Sequence, residues 1–288
     1  MRARWKAGRG ALWHPVGMDV FEPLRDLDFD AAVVVVDPVD AVATYGDPTT
    51  VFDWASVSKL VVTYACLVAV DRELVSLGEH VGPDACTLRH LLSHSSGLPF
   101  DKGASLAAPG QKRIYSNRGI ELAAEHVERR VGKDFRAWLR ETVTGPLGMD
   151  TAELYGSPAH GMRGSAVDLA EFARAALNGA LLSPELFREA THPVYPGLRG
   201  VLPGYGLQDP NDWGLGFEIR GTKDPHWTGN NNSPATFGHF GWSGSFLWVD
   251  PEVHLAACFV GAKPFSEIHQ NVWPDLSDRI LAQYAVLD

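Results

Sequence analysis

Three short groups of residues in this chain could do chemistry together: Ser56-Val57-Ser58-Lys59, Tyr115-Ser116-Asn117 and His239-Phe240-Gly241. A lone serine is a poor nucleophile at neutral pH and needs an adjacent base. Three apart at the start of a helix, Ser56 and Lys59 share a face, with Cβ atoms roughly 5–6 Å apart. Lys59 acts as a base only if its pKa falls, and burial and the positive end of a helix both push it down. The same helix start offers the Ser56 N–H to an oxyanion. Tyr115 and Asn117, two apart in an extended segment, point to one side: Tyr115 for proton transfer, Asn117 as partner to a substrate amide. His239 and Gly241 are two apart on a predicted strand, where a glycine lets another backbone approach closely. Such a strand can hold a substrate carbonyl. The set describes a serine hydrolase working through an acyl-enzyme, with no metal and no cofactor.

Each group alone is weak, since a Ser-Lys pair on a helix is usually a solvated face and Tyr-x-Asn is usually a turn. The elements that must position them strengthen the joint reading. Ala31–Val36 and Ala41–Tyr45, separated by Asp37-Pro38, read as a hairpin. A helical pattern runs from Ser56 to about Leu77, with Leu60, Thr63, Tyr64, Leu67, Val68 and Leu74 on one face. Further helices are predicted over 88–94, 119–131, 134–143, from Ser165-Ala166-Val167-Asp168 to Gly179, and after Ser183-Pro184. Pro193 to Gly216 is a long Gly- and Pro-rich loop. Strands follow at 213–219, 236–248 and 254–260, then a helix from about Ile268 to Tyr284. The chain therefore reads as α+β: an antiparallel sheet flanked by helices, built from residues 20–58 and 200–288, with an inserted all-helical region at 59–199.

Composition removes other classes. The formal charge of −10 argues against nucleic acid, which needs a positive field; the basic Arg2, Arg4, Lys6 and Arg9 read as a frayed end. Cys66, Cys86 and Cys258 are too few and scattered for a disulfide framework, and Cys66 and Cys258 read as small buried hydrophobes. No apolar stretch reaches membrane-spanning length and no apolar signal core follows the basic N-terminus, so a cytoplasmic location is expected. Eleven histidines show no metal-binding spacing. Trp213 and Trp227, in the long loops, are candidates to line a pocket.

The combination resembles the serine β-lactamase and D,D-peptidase superfamily, the penicillin-binding protein-like enzymes, nearest its class C β-lactamase and esterase branch. Supporting runs are Leu91-Leu92-Ser93-His94-Ser95-Ser96-Gly97-Leu98-Pro99, Pro146-Leu147-Gly148-Met149-Asp150-Thr151 and Gly238-His239-Phe240-Gly241-Trp242-Ser243-Gly244-Ser245. The likeness covers about residues 30 to 285 and implies a β-lactamase-like fold. By position it implies Ser56 as the acylated serine, Lys59 as the helix lysine and Tyr115 as the second proton-transfer residue. It likewise implies Asn117 as the cleft asparagine, His239 and Gly241 as the strand triplet and the Trp242 N–H as the second oxyanion donor. It places His94 outside the catalytic centre. His239 stands where many β-lactamases carry Lys or Arg, which removes a permanent cation for a lactam carboxylate. No Glu motif of the class A type is present to activate a deacylating water.

Substrate candidates are a small ester, an amide, a D-amino-acid peptide or a β-lactam. The alternative is a catalytically weak penicillin-binding or scaffold module of the same fold. Gly241-Trp242-Ser243-Gly244-Ser245 nearly spells a Gly-x-Ser-x-Gly elbow, but it ends in serine and is predicted to continue as strand.

Overall fold

The Val-rich run Ala31–Val36 forms β1, and Ala41–Tyr45 forms β2 antiparallel to it, as the hairpin pattern predicts. The structure, a computed structural model, describes residues 19–286, so the basic cluster at residues 2–9 and the expected lack of a signal core lie outside the described residues. Val51–Asp53 (β3) leads through the 3-10 turn Ala55–Val57 into helix α1, Ser58–Asp71. Then come α2 (Leu88–Leu92), α3 (Asn117–Val131), α4 (Phe135–Leu139), β4 (Glu153–Leu154), β5 (Met162–Ser165), α5 (Ala166–Leu177) and α6 (Pro184–Thr191). The chain closes with β6 (Gly200–Leu202), β7 (Gly206–Gln208), β8 (Glu218–Ile219), β9 (Phe237–Gly241), β10 (Ser245–Asp250), β11 (Leu255–Gly261) and α7 (Glu267–Tyr284).

Six strands form one sheet in the order β2-β1-β11-β10-β9-β8, so strands from both ends of the chain meet side by side. Both faces of this sheet are covered, which explains the continuous apolar run of β1. Ala32, Val34 and Val36 join the core shared with α1 and α5, while Val33 and Val35 face the other way, into the core under α7. The same alternation divides Leu247 and Val249 of β10 from Phe246 and Trp248.

Several elements differ from the sequence expectation. The helix expected to reach Leu77 ends at Asp71, and Leu74 is exposed. Every α1 residue from Ser58 to Ala69 is buried, so the single face read from the pattern is a helix enclosed on all sides. That enclosure hides periodicity, because no position faces water. The middle of the chain is not purely helical, since β5 pairs there with both β3 and β4. The 134–143 helix ends at Leu139 and passes into a π-helical turn at Arg140–Thr144. The Ser165 hydroxyl caps α5 at the Asp168 N–H, but the Asp168 carboxylate accepts from Thr151 instead of closing a capping box. The strand expected over 213–219 shrinks to β8, and the loop before it contains the β6–β7 hairpin. The strand expected over 236–248 is two strands, β9 and β10, joined by a tight turn at Trp242–Gly244.

Candidate active site

Ser56 sits in the 3-10 turn between β3 and α1, one residue after Ala55, whose φ is +43°. A non-glycine residue there stores roughly 1–3 kcal/mol and persists only when its surroundings over-determine it. They do so here. The Trp54 N–H donates to the Met162 carbonyl (2.9 Å), and the indole Nε1 donates to the Gly164 carbonyl (3.0 Å). The Trp54 carbonyl accepts from the Val57 N–H (3.1 Å) and the Ser245 hydroxyl (2.8 Å). On the α1 side, the Ser58 hydroxyl accepts from the Met162 N–H at 3.0 Å. Ser56 is thus held between β5 and the β9–β10 turn.

Lys59 is fully buried, with Nζ 3.1 Å from Ser56 Oγ and 2.8 Å from the Ala159 carbonyl oxygen. Burial lowers its pKa to about 7, against a partial rise from Glu121 and Asp101. The amine is therefore substantially neutral near pH 7: it can donate to Ala159 while accepting the Ser56 proton. Tyr115 closes the group, its ring centroid 4.7 Å from Lys59 Nζ. Burial raises the phenol pKa far above its ordinary value, despite the opposing effect of the Ser56 hydroxyl beside it. Its hydroxyl lies 2.9 Å from His239 Nε2.

His239 is buried on β9, and its Nδ1 lies 3.3 Å from Glu218 Oε2. Burial lowers its pKa, only partly countered by the bond to Glu218. Glu218, from the two-residue strand β8, is fully enclosed; His226 Nε2 donates to Oε1 (2.9 Å) and Trp227 Nε1 to Oε2 (3.0 Å). Lys223 Nζ lies 3.5 Å from Oε1. Burial alone would raise this carboxyl's pKa, but Lys223, His226 and the bonds from His226 and His239 hold it well below the ordinary range.

Gly241 completes β9. A Cβ there would lie 2.3 Å from the Trp54 carbonyl oxygen and 3.1 Å from the Ser56 nitrogen, so only glycine fits against the turn that carries Ser56. β8 pairs only with Phe237 and Gly238, so His239–Gly241 present an open edge on that side. Trp242 begins the turn, with its side chain mostly exposed.

Five of the seven residues singled out from sequence thus lie together: Ser56, Lys59, Tyr115, His239 and Gly241. Trp242 adjoins them through Gly241. Asn117 differs. The extended segment stops at Ser116, which caps α3 at the Gly119 N–H, and Asn117 is the first helical residue. Its amide donates to the Asp101 carboxylate at 3.1 Å, and its Oδ1 is buried with no partner. His94, expected outside the centre, packs its ring 4.7 Å from that of Tyr115 and accepts the Ser116 N–H on Nδ1 at 3.1 Å. Trp213 and Trp227 are fully buried behind the site rather than lining it. Glu218 is the residue the sequence reading missed. Its one signal is an acidic side chain inside the apolar stretch Trp213 to Ile219, a pattern that marks a buried, partnered carboxylate.

The three-layer fold, with this serine-lysine turn packed against β9 and β10, is that of serine hydrolases of the β-lactamase type. The Beta-lactamase family model matches residues 29–273, and the chain belongs to that family. The structure is similar to a crystal structure of a β-lactamase from Mycobacterium bovis: TM-score 0.91, 46% identity, covering 93% of this chain and 100% of that one. A curated protein of Escherichia coli O157:H7 named "Putative D-alanyl-D-alanine carboxypeptidase" is 23% identical over 83% of this chain and 74% of its own length. Simvastatin synthase from Aspergillus terreus shares the fold, with TM-score 0.74 and 17% identity over 88% of this chain and 94% of that one. Among the described residues no helix is long and apolar enough to cross a membrane, and no group of three His, Cys, Asp or Glu is placed to hold a metal ion.

Proposed function

We propose that this protein is a serine hydrolase that acylates Ser56, with Lys59 as the base and Tyr115 as the second proton-transfer residue. The observation that carries this reading is the buried Lys59 amine, 3.1 Å from Ser56 Oγ and with a pKa lowered to about 7. In the proposed first step Ser56 Oγ attacks a substrate carbonyl as its proton passes to Lys59 Nζ. The N–H groups of Ser56 and Trp242 take the developing oxyanion. The leaving group departs with the proton returned from Lys59, by way of Tyr115. The open edge of β9 at His239–Gly241 is suited to a main-chain carbonyl of the substrate.

The substrate class we favour is a small, uncharged ester. His239 is buried, and both ring nitrogens already face protein partners, Glu218 and Tyr115, so neither is available to anchor a carboxylate. The curated relative's name supports a second reading, cleavage of a D-alanyl peptide, and the family keeps β-lactams and amides in view. A retired scaffold would not need Lys59 to remain buried against Ser56. The test is a p-nitrophenyl ester series run beside nitrocefin and D-alanyl-D-alanine peptides. The expected order places a short-chain ester first by kcat/KM. Nitrocefin or D-alanyl peptide turnover equal to the best ester would contradict it.

A further inference from the structure

We propose that Glu218 is the positioning residue of a buried proton relay, Glu218–His239–Tyr115, that activates the water attacking the acyl-enzyme. The inference rests on the acyl-enzyme reading above and names the base for its second half, for which the sequence offers no dedicated glutamate motif.

The geometry sets the direction of the relay. A carboxylate only accepts, so the 3.3 Å contact with Glu218 Oε2 places a proton on His239 Nδ1. With the ring neutral, Nε2 carries a lone pair and accepts the Tyr115 O–H at 2.9 Å. The Tyr115 oxygen then keeps its own lone pairs for the side of Ser56, whose hydroxyl lies beside it. The arrangement is that of a nucleophile's histidine held by a buried acid, with a tyrosine interposed. His226 fits the same assignment. Its Nδ1 accepts from the Thr228 N–H (3.3 Å), so its Nε2–H is the donor to Glu218 Oε1 (2.9 Å). Lys223 balances the charge of Glu218 and is itself tied to the Asp212 carbonyl at 2.9 Å and to the Ile219 carbonyl. The charged and titratable groups facing His239 are Glu218, Lys223, Lys59, Tyr115 and the neutral ring of His94.

In the relay, the water oxygen bonds to the acyl carbon as one water proton passes to the Tyr115 oxygen. The Tyr115 proton passes to His239 Nε2, and the imidazolium formed lies against the Glu218 carboxylate. When the intermediate collapses, the acyl carbon–Oγ bond breaks. Ser56 Oγ regains a proton through Tyr115, and His239 returns to its neutral form. A fully enclosed carboxylate is costly to ionise, and a role in holding the 220–232 loop would not require it to face the site histidine.

The test is stopped-flow release of p-nitrophenolate from p-nitrophenyl acetate by the parent, Glu218→Gln, Glu218→Asp and the charge-matched double variant Glu218→Gln/Lys223→Met. Acyl-enzyme is followed by intact mass. The expected result for Glu218→Gln is a burst equal to the enzyme concentration, then turnover slowed by roughly 10²–10⁴-fold, with acetyl-enzyme accumulating. Glu218→Asp should restore part of the turnover. Adding Tyr115→Phe to Glu218→Gln should slow deacylation little further, because the residues act as a unit in that step, while the burst slows as well, since Tyr115 also relays the leaving-group proton. The double variant serves if the single one does not fold. A folded variant with parental turnover and no burst overturns the relay, and so does one in which acylation and turnover slow in parallel. If the parent neither turns over esters nor acylates Ser56, the hydrolase reading itself has failed and the relay goes with it.

Discussion

In the proposed mechanism the protonation state of Lys59 decides when Ser56 can react. Its pKa near 7 means that lowering the pH through that value adds a proton and removes the base, so kcat/KM for an ester should fall tenfold per pH unit on the acid side. A profile flat from pH 5 to 8 would contradict Lys59 as the base. Ser56→Ala and Lys59→Ala should each cost several orders of magnitude, and the double variant little more. The same pKa has a stability consequence. An unfolded lysine holds its proton up to about pH 10.4, whereas folded Lys59 gives it up near 7, so folding against this group is most costly at and below pH 7. The penalty fades as pH rises toward the unfolded value. Lys59→Met should therefore be inactive yet more stable by roughly 2–4 kcal/mol at pH 6–7, with the gain vanishing near pH 10. Urea melts at pH 6, 8 and 10 check this, and an equal or lower midpoint at pH 6 would refute it.

The elements that carry the site are short, and their shortness explains what could be read in advance. Gly241→Ala should cost roughly 1–3 kcal/mol and most of the activity, because its Cβ would press on the Trp54 carbonyl that fixes Ser56. Gly132→Ala is the control: its φ of +66° costs about 1–2 kcal/mol, but nothing lies within 4 Å of its Cβ and activity should be kept. Equal activity losses in the two variants would remove the special role given to β9. That Ser56, Lys59, Tyr115, His239 and Gly241 lie together was legible because fixed spacings on a turn or strand bring such groups to one place. The β1–β2 hairpin was legible from its Val-rich run, and α7 from its length. The reach of α1 was misread because a helix buried on every side shows no apolar stripe. The β9–β10 turn was misread because its signal, Ser243-Gly244 with Gly244 at φ +79°, lies between two apolar stretches that read as one run. Asn117 was read as extended because the role of Ser116 as a helix cap was not recognised. Glu218 escaped because its partners, His226, Trp227 and His239, meet it only through the fold.

For the whole molecule, a six-stranded sheet with covered faces backs the serine, lysine and tyrosine to which the chemistry is assigned in the proposal. Activity should therefore survive EDTA. It should also survive thiol alkylation, since Cys66, Cys86 and Cys258 are buried, and burial pushes the Cys86 and Cys258 thiols up to about 12. Loss of activity to EDTA, restored by zinc, would overturn the assignment, as would rapid native alkylation that abolishes turnover. The most direct test of the central claim is to locate the covalent adduct by fragmenting peptides after reaction with a fluorophosphonate. The expected result is one adduct, on Ser56, absent from Ser56→Ala. An adduct on Ser58, Ser95 or Ser243 instead, with Ser56→Ala fully active, would contradict it.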